Sequence, residues 1–411
     1  MIRVAHVITR LELGGAQDNT LHTVAQLHAP YEAHLFTGPG GMLDAEARQR
    51  LGEALTFVPS LVHPIRPVRD LLAVRDLARA FRELRPAIVH THSSKAGIVG
   101  RAAARLAGVP VVVHSIHGFG FHDHQPAWLR QTLVTAERVA RPWTTHFVSV
   151  AGVHLARGAA LGIVDPERAS VVRSGVHLAA LQAAADRAAA AGAAALRAGL
   201  GLPVEGPIIG MVACLKPQKA PLDFIEASAR VASRRPDATF VMVGDGPLRP
   251  AAEARARALG LEGRLQLLGW RRDVPDLLAA FDVVALTSLW EGLPRVVPEA
   301  IAAGRPLVVT SIDGAAELLR HEEHALLVPP SDPAAAAGQI LRLLEDPSLA
   351  RRLVAAARPL LGEFDIDRMV REQEALYERL LQGVPEVVVD GPAAAGVAGA
   401  EAGRGPGRRA A

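Results

Sequence analysis

The sequence predicts two α/β domains, each built on a parallel sheet with helices on both faces. Short apolar runs recur along the chain and alternate with helical stretches, which is the pattern of parallel sheets. This alternation breaks once, at an alanine-rich helical stretch between about Leu178 and Pro207, and then restarts. The length of 411 residues also suits two domains that each bury a core.

The predicted strands form two sets on either side of the alanine-rich stretch. The first set is RVAHVIT, AHLFTG, AIVHTH, PVVVHSIHG and THFVSVA, and the second is IIGMVACL, TFVMVGDG, LQLLGW, DVVALTS and PLVVTS. Helices are predicted between them at Val68–Leu84, Trp128–Ala140, Leu222–Ser233 and Leu248–Leu259. Ligands of such sheets bind beyond the carboxyl ends of the strands, so two facing domains predict a cleft between them.

The alanine-rich stretch also gives the predicted domain boundaries. We expect one domain over residues 1–176 and a second over residues 177–362. From residue 383 onward the chain consists mainly of glycine, alanine, proline and arginine, which predicts a disordered tail over residues 383–411.

Composition restricts the class of protein and its location. Half of the residues are hydrophobic and 21% are charged, as in globular proteins, and the formal charge of +3 gives no case for nucleic-acid binding. A disulfide framework needs more than the one cysteine, Cys214, and this fits a reducing compartment. The N-terminus lacks a signal-peptide layout, and no apolar run reaches the roughly 18 residues that span a membrane. These features predict a cytoplasmic enzyme.

The segment Trp290–Gly304 carries the most informative chemistry. It reads WEGLPRVVPEAIAAG, and its two prolines suit the first turn of a helix. Glu291 is then expected on the loop that enters the helix, and Glu299 about one turn inside it. Leu293 is a poor capping residue, which leaves the first N–H groups free for an anion. Two carboxylates beside an open helix end suit the hydroxyls and phosphate of a sugar nucleotide.

Lysines and glycines follow the strands of the second domain. The chain has 45 lysines and arginines, and only Lys95, Lys216 and Lys219 are lysines. Lys216 and Lys219 follow IIGMVACL and could neutralise a diphosphate, although two solvated surface lysines are the alternative. The strand TFVMV ends in a turn containing Gly244 and Gly246, which lets the backbone approach a ligand, but such turns are common.

Together these segments resemble the GT-B glycosyltransferases of the retaining family 4 group, the glycosyl transferases group 1. The resemblance covers about residues 1–382 and rests on LGGAQ, HTHSSKAG, IHGFGF, LKPQKAP, GDGP and EGLPRVVPE. It implies two Rossmann-like domains that face each other across a cleft. It also implies that a C-terminal helix, residues 363–382, returns to the N-terminal domain.

The resemblance implies a role for each matching residue. Lys219 matches the lysine at the donor's diphosphate, Glu291 the glutamate facing the transferred sugar, and Glu299 the glutamate on the ribose. The histidine beside the transferred sugar matches His117. The implied catalytic residues are therefore His117, Lys219 and Glu291. Further donor-binding residues are expected at Gly14, Gly15, Lys216, Gly244, Gly246, Gly292 and Leu293, and acceptor-side residues at Lys95 and His122.

Three of these positions carry alternatives. The family often has an arginine where this sequence has Cys214, and Lys216 is expected to supply the charge instead. Lys95 follows a predicted strand, and it could meet the acceptor or a phosphate or could simply begin a helix. His122 could line the acceptor side or face solvent.

The resemblance also implies the chemistry. The leaving phosphate takes the acceptor's proton on the face of attack, so the sugar keeps its configuration without a protein nucleophile, and neither a cofactor nor a metal is expected. Asp365-Ile366-Asp367 opens the terminal helix and is interpreted as a helix cap. The histidines of the segment His114–His124 match no common zinc spacing.

The predicted function is transfer of a sugar from a UDP- or GDP-sugar to a sugar, glycan or lipid-linked acceptor. Polysaccharide, lipopolysaccharide or glycolipid biosynthesis at the inner face of a bacterial membrane is the expected setting. A basic helix, Val68–Leu84, could rest on anionic lipid, although packing on the sheet is favoured. Two alternatives stay open: another GT-B reaction, such as a sugar-nucleotide epimerase or a phosphorylase, and a noncatalytic nucleotide-sugar-binding protein.

Overall fold

A computed structural model describes residues 1–383, and within these residues the strands form two parallel sheets. The strands of the first sheet are β1 (Ile2–Arg10), β2 (Tyr31–Gly38), β3 (Leu55–Phe57), β4 (Ile88–His92), β5 (Val111–Ile116), β6 (His146–Ser149) and β7 (Ala169–Val171). Those of the second are β8 (Ile208–Val212), β9 (Thr239–Val243), β10 (Leu265–Gly269), β11 (Val283–Leu286), β12 (Leu307–Thr310) and β13 (Leu326–Val328). Their orders are β3-β2-β1-β4-β5-β6-β7 and β10-β9-β8-β11-β12-β13, so both sheets are doubly wound.

Helices connect the strands and cover both faces of each sheet. The helices that follow strands of the first sheet are α1 (Gly15–Gln26), α2 (Asp44–Leu51), α3 (Pro67–Leu84), α4 (Ser94–Ala107), α5 (Ala127–Ala140) and α6 (Gly152–Ala160). The remaining helices are α7 (Leu178–Ala191), α8 (Ala193–Leu200), α9 (Pro221–Arg234), α10 (Arg249–Ala258), α11 (Val274–Ala280), α12 (Val296–Ala302), α13 (Asp313–Leu318), α14 (Pro333–Glu345), α15 (Pro347–Ala357) and α16 (Ile366–Gln382). The predicted fold class is confirmed.

The C-terminal helix α16 packs against the first sheet, as predicted. Its apolar side chains, including Ile366, Val370 and Tyr377, are buried with Val4 and Ile88 of that sheet. The Asp365 carboxylate accepts a hydrogen bond from the backbone N–H of Arg368 at 2.8 Å. Asp365 therefore caps the helix, in agreement with the interpretation from sequence.

The polypeptide passes between the two sheets twice, near Val176 and near Phe364, and these two segments lie side by side. The backbone N–H of Val176 donates to the carbonyl of Phe364 at 2.7 Å. A Cβ at Gly175 would lie 2.5 Å from the Cα of Ile366, so only glycine allows the two segments to approach this closely. The predicted domain boundary beside Gly175 stays a prediction. From residue 384 onward, the tail that the sequence predicts to be disordered lies outside the residues that the structure describes.

The arginine-rich helix α3 packs on the first sheet, which is the alternative that the sequence favours over contact with lipid. Ala73, Leu77, Ala78 and Phe81 are buried, whereas Leu71 is 71% exposed. No helix within residues 1–383 is long and apolar enough to cross a membrane.

Candidate active site

A cleft of about 850 Å³ lies where the carboxyl ends of the two sheets face each other. Loops that follow β1 and β5 line one side, and loops that follow β8, β9, β10 and β11 line the other. A cleft of this volume suits a ligand of nucleotide-sugar size. The cleft brings together eleven of the residues predicted from sequence: Gly14, Gly15, His117, His122, Lys216, Lys219, Gly244, Glu291, Gly292, Leu293 and Glu299.

The other two predicted site residues do not line the cleft. Lys95 forms an ion pair with Asp70 at 2.7 Å and donates to the carbonyl of Pro64, so it fastens the loop before α3 to the start of α4. Gly246 packs against the backbone of Leu215, where a Cβ would lie 2.6 Å from the carbonyl oxygen. Both residues therefore stabilise loop conformations and do not face the cleft.

Lys219 and Glu291 form the central ion pair of the site. The Lys219 ammonium donates to Glu291 Oε1, which also accepts from the Ser288 hydroxyl at 2.9 Å. Gln218 donates to Glu291 Oε2 at 3.3 Å. Glu291 is 7% exposed, and a carboxylate this buried requires partners of this kind. The network fixes both oxygens of Glu291.

Backbone hydrogen bonds hold the lysine loop against the glutamate loop. The N–H of Leu289 donates to the carbonyl of Gln218 at 2.8 Å, and the Thr287 hydroxyl donates to the carbonyl of Ala220 at 2.9 Å. The two loops follow neighbouring strands, β8 and β11, at the point where the strand order of the second sheet reverses. The position of the ion pair therefore follows from the topology.

Lys216 and Cys214 both line the cleft wall. The expectation that Lys216 supplies the charge of the family arginine stays a prediction. Burial and the neighbouring Lys219 lower the pKa of Lys216. Burial raises the pKa of the Cys214 thiol, which favours its neutral form. Burial thus disfavours the charged form of both side chains, and of the two only Lys216 can carry a positive charge.

Glu299 lies at the start of α12, within the first turn, and Glu291 lies on the loop before the helix, as predicted. Arg295 contacts the Glu299 carboxylate at 3.4 Å and pairs with Asp18 of helix α1 at 2.8 Å. Burial raises the pKa of Glu299. Arg295, the N-cap residue of α12, therefore links this helix to α1 across the cleft.

The domains touch at two glycines beside His117. A Cβ at Gly292 would overlap the carbonyl oxygen of His117, and the backbone of Gly292 also faces Gly118. The buried His154 of α6 lies 3.0 Å through its Nε2 from the carbonyl oxygens of both Glu291 and Gly292. These contacts fix the distance between the His117 loop and the Glu291 loop.

His122 forms one wall of the cleft with Trp290. The two rings are stacked, with centroids 3.8 Å apart and an interplanar angle of 17°. Burial lowers the pKa of His122. The pair is a flat surface of the kind on which a sugar ring packs.

The structure reveals functional candidates that the sequence interpretation missed. Asp18, His154, Arg157, Trp290 and Arg295 line the cleft. Arg295 lies inside the segment EGLPRVVPE, four residues before Glu299. This spacing on a helix could have predicted that it contacts Glu299. His154 gives no such signal, since its partner is more than a hundred residues away.

A second group of missed residues lies below the cleft. His6 of β1 and His90 and His92 of β4 are buried, and one ring nitrogen of each lies within 4.8 Å of the other two. His90 and His92 alternate on one face of β4, and His6 is the register partner of His90. The alternating histidines of His90-Thr91-His92 therefore indicated in the sequence that two imidazoles share one face of the strand. The expectation that no metal is bound stays a prediction.

Comparison with known proteins agrees with this architecture. Residues 206–346 match the family model "Glycosyl transferases group 1", and residues 14–175 match "Glycosyl transferase 4-like domain". The chain is 32% identical over 382 residues to an Escherichia coli UDP-Gal:alpha-D-GlcNAc-diphosphoundecaprenol alpha-1,3-galactosyltransferase, a match that covers 92% of this chain and 96% of that protein. The protein belongs to the group 1 glycosyltransferases.

A second relative and a solved structure are also similar to this chain. A 2-deoxystreptamine glucosyltransferase from Streptomyces kanamyceticus is 30% identical over 299 residues, covering 69% of this chain and 74% of that protein. The crystal structure of HepE from Anabaena with UDP and glucose superimposes with a TM-score of 0.78 at 22% identity, over 92% of this chain and all of that one. The GT-B fold and the glycosyltransferase activity predicted from sequence are confirmed.

Proposed function

We propose that this glycosyltransferase transfers a hexose from a UDP-sugar to a lipid-diphosphate-linked N-acetylglucosamine, with retention of configuration. The observation that carries the proposal is the Lys219–Glu291 pair, held in a cleft that also contains Lys216 and Glu299. The Escherichia coli relative, whose name specifies UDP-galactose and this acceptor, supports the choice of substrates.

Positive charge in the cleft suits the leaving group. Cleavage of the anomeric bond places negative charge on the β-phosphate of the nucleotide, and fixed cations stabilise that charge in the transition state. Lys219 and Lys216 are partly buried at the cleft wall, where their charges act strongly. Because these lysines can neutralise the diphosphate, we propose that the reaction needs no divalent metal.

Retention is proposed to proceed on one face of the sugar. A double displacement would require a free carboxylate beneath the anomeric carbon. Both oxygens of Glu291 are engaged by Lys219, Ser288 and Gln218, which suits a residue that binds hydroxyls better than a nucleophile. The leaving phosphate is therefore proposed to accept the acceptor's proton.

A lipid-linked acceptor requires the enzyme to work at a membrane surface. Ile65, Val68 and Leu71 expose 63%, 75% and 71% of their surface, and they lie beside the exposed residues Arg66 and Arg69 at the start of α3. Apolar side chains flanked by arginines suit contact with anionic lipid. We propose that this edge rests on the inner face of the cell membrane.

The test is a donor panel with and without a lipid acceptor. The protein is incubated in EDTA with UDP-, GDP- or ADP-sugars and with GlcNAc-diphosphoundecaprenol, and nucleotide release, the mass of the lipid product and, by NMR, the anomeric configuration of the new linkage are measured. UDP-galactose is expected to give UDP and a lipid heavier by one hexose, with the new linkage α. Epimerised donor without UDP release, phosphate-dependent cleavage, or binding without turnover would each contradict the proposal.

A further inference from the structure

A line of buried polar side chains begins at His117 and enters the core of the N-terminal domain. It passes through β4, β1 and the C-terminal helix, and it ends on β5. From the cleft inward its members are His117, His92, His6, Tyr377, His90 and Ser115, which we call the histidine chain. No role in the proposed reaction has so far been given to any member except His117.

The outer half of the histidine chain joins three imidazoles. His117 Nε2 lies 3.2 Å from His92 Nδ1. His92 Nε2 in turn lies 3.0 Å from His6 Nδ1. Both nitrogens of His92 are therefore used within the chain, and each contact joins one Nδ1 to one Nε2.

The inner half continues the same alternation. His6 Nε2 lies 3.5 Å from the hydroxyl of Tyr377, which is 2.5 Å from His90 Nδ1. His90 Nε2 then lies 2.7 Å from the hydroxyl of Ser115. Tyr377 is fully buried, so its hydroxyl is shielded from water that could replace these partners.

Burial keeps every member of the histidine chain neutral. It lowers the pKa of His6 to about 3 and that of His117 to about 4. It also holds the pKa of His90 and His92 well below the ordinary value and raises the pKa of Tyr377. A neutral imidazole has one N–H and one lone pair, so it donates at one nitrogen and accepts at the other.

Because each neutral ring donates at one nitrogen and accepts at the other, all hydrogen bonds of the histidine chain are expected to run from donor to acceptor in the same direction. If His117 donates from Nε2, then His92, His6 and His90 must also carry their proton on Nε2, and Ser115 accepts. If Ser115 donates instead, all four rings must carry the proton on Nδ1. Between two imidazoles, a ring of the opposite tautomer would place two donors or two lone pairs face to face. At Tyr377 it would leave either the buried hydroxyl proton without an acceptor in the histidine chain or one ring nitrogen without a donor.

We propose that the histidine chain sets the hydrogen-bonding character of His117 toward the substrate, with Tyr377 as a positioning residue. His117 Nδ1 has no partner within residues 1–383, so it is the nitrogen left for a ligand. Its state, donor or acceptor, is fixed by the direction of the chain. This inference rests on the proposed function and on the place beside the transferred sugar that the family resemblance implies for His117.

A buried metal ion is the competing explanation for His6, His90 and His92. Each nitrogen of these rings is already paired with another member of the chain. Within the described residues, no carboxylate forms a hydrogen bond or an ion pair with any of the three rings, so a divalent ion would have no compensating negative charge there. The hydrogen-bonded arrangement is therefore favoured.

The first test measures the tautomers directly. Protein labelled with ¹⁵N-histidine is examined by two-bond ¹H–¹⁵N correlation, and single His→Gln variants assign the signals of the four rings. All four are expected in the same tautomer, whichever one it is. Mixed tautomers among the four rings would overturn the proposal, as would one equivalent of zinc that disappears in His6→Gln.

The second test compares the two tyrosines of the protein, Tyr377 and Tyr31, as a matched pair. Tyr377→Phe breaks the link between His6 and His90. Tyr31→Phe removes a neighbouring hydroxyl that donates to the carbonyl of Glu374 at 3.3 Å, outside the histidine chain. The rings of the two tyrosines pack together with centroids 5.7 Å apart, so both variants perturb the same part of the core.

Tyr377→Phe is expected to lower kcat for UDP-galactose about tenfold with little change in KM, and to shift the His6 signals; Tyr31→Phe is expected to do neither. Equal behaviour of the two variants would overturn the proposal. If the wild-type protein transfers no sugar, the proposed function fails. The tautomer measurement still tests the histidine chain in that case, so the two failures are distinguishable.

Discussion

Each glutamate of the proposed donor site has a cationic partner in the donor-free protein. Lys219 pairs with Glu291, and Arg295 pairs with Glu299 and with Asp18 across the cleft. These pairs hold the carboxylates in position before a donor arrives. Because the groups are largely buried, removal of one partner leaves a poorly compensated charge on the other.

The proposed ribose contact of Glu299 gives a prediction for nucleotide affinity. Glu299→Gln removes the charged acceptor and should weaken UDP binding on the order of tenfold or more, because hydrogen bonds to charged groups are worth about 1.5–3 kcal/mol. Isothermal titration calorimetry measures the change. Glu262→Gln, at an exposed glutamate of the same domain, is the control. Equal affinity of the Glu299 variant and the wild type would remove Glu299 from the nucleotide site.

At the residue scale, the sequence predicted the members of the site better than their contacts. Short segments such as EGLPRVVPE predicted Glu291 and Glu299 because their spacing is local. The partnership of Arg295 with Asp18 depends on how the two domains meet, which local spacing does not encode. Lys95 was assigned to the acceptor side from its position after a strand, but the structure pairs it with Asp70.

At the scale of elements, two loops from different domains meet without side chains between them. The loop after β5 presents the carbonyl of His117, and the loop after β11 presents Gly292 against it. His154 then bonds to the carbonyls on either side of the same point. The relation between His117 and Glu291 therefore depends on a backbone contact.

Gly292→Ala tests this contact. The added methyl overlaps the His117 carbonyl and should separate the two loops, so kcat is expected to fall about a hundredfold while the protein stays folded. Steady-state kinetics and circular dichroism are the measurements. Gly338→Ala is the matched control, since a Cβ there meets nothing within 4 Å. A Gly292→Ala enzyme with wild-type kcat would show that the loop contact is not needed.

The strands that the sequence failed to predict are short. Strands β3, β7 and β13 have three residues each, too few to show a strand pattern, and each lies at the edge of its sheet. The four helices predicted between the strands were placed within about two residues, because each carries an apolar stripe over several turns.

At the scale of the molecule, the return of α16 connects the far end of the chain to the N-terminal core. Tyr377 of this helix contacts His90 of β4, 287 residues earlier in the chain. The sequence predicted the two sheets and the returning helix, since periodicity and the family resemblance are sufficient for both. It did not predict the histidine chain, which forms only where β1, β4, β5 and α16 meet.

The buried histidines predict that stability depends on pH. The pKa of His6 is about 3 in the folded protein and about 6.5 when unfolded, so the unfolded state takes up the proton first. The contribution of His6 to the free energy of unfolding is therefore fully present above pH 6.5, and it is lost as the pH decreases toward 4. Each such histidine contributes a loss of about 1.4 kcal/mol per pH unit in this window.

Urea unfolding of His6→Gln between pH 7.5 and 5.5 isolates the contribution of one histidine. Its free energy of unfolding should fall less steeply with decreasing pH than that of the wild type. His63→Gln is the control, since His63 is exposed, and its pH profile should run parallel to the wild-type profile. Parallel profiles for His6→Gln and wild type would show that His6 titrates normally in the folded protein.

The measurement that tests the proposed reaction most directly is the rate of UDP release from UDP-galactose with GlcNAc-diphosphoundecaprenol, for wild type, Lys219→Gln and Arg230→Gln. Arg230 lies exposed on α9 and serves as a control for loss of a positive charge. We predict that wild type and Arg230→Gln release UDP in step with hexosyl transfer, and that Lys219→Gln is slower on the order of 10²–10³-fold. A folded Lys219→Gln protein with the wild-type rate would contradict the assignment of the cleft as the catalytic site.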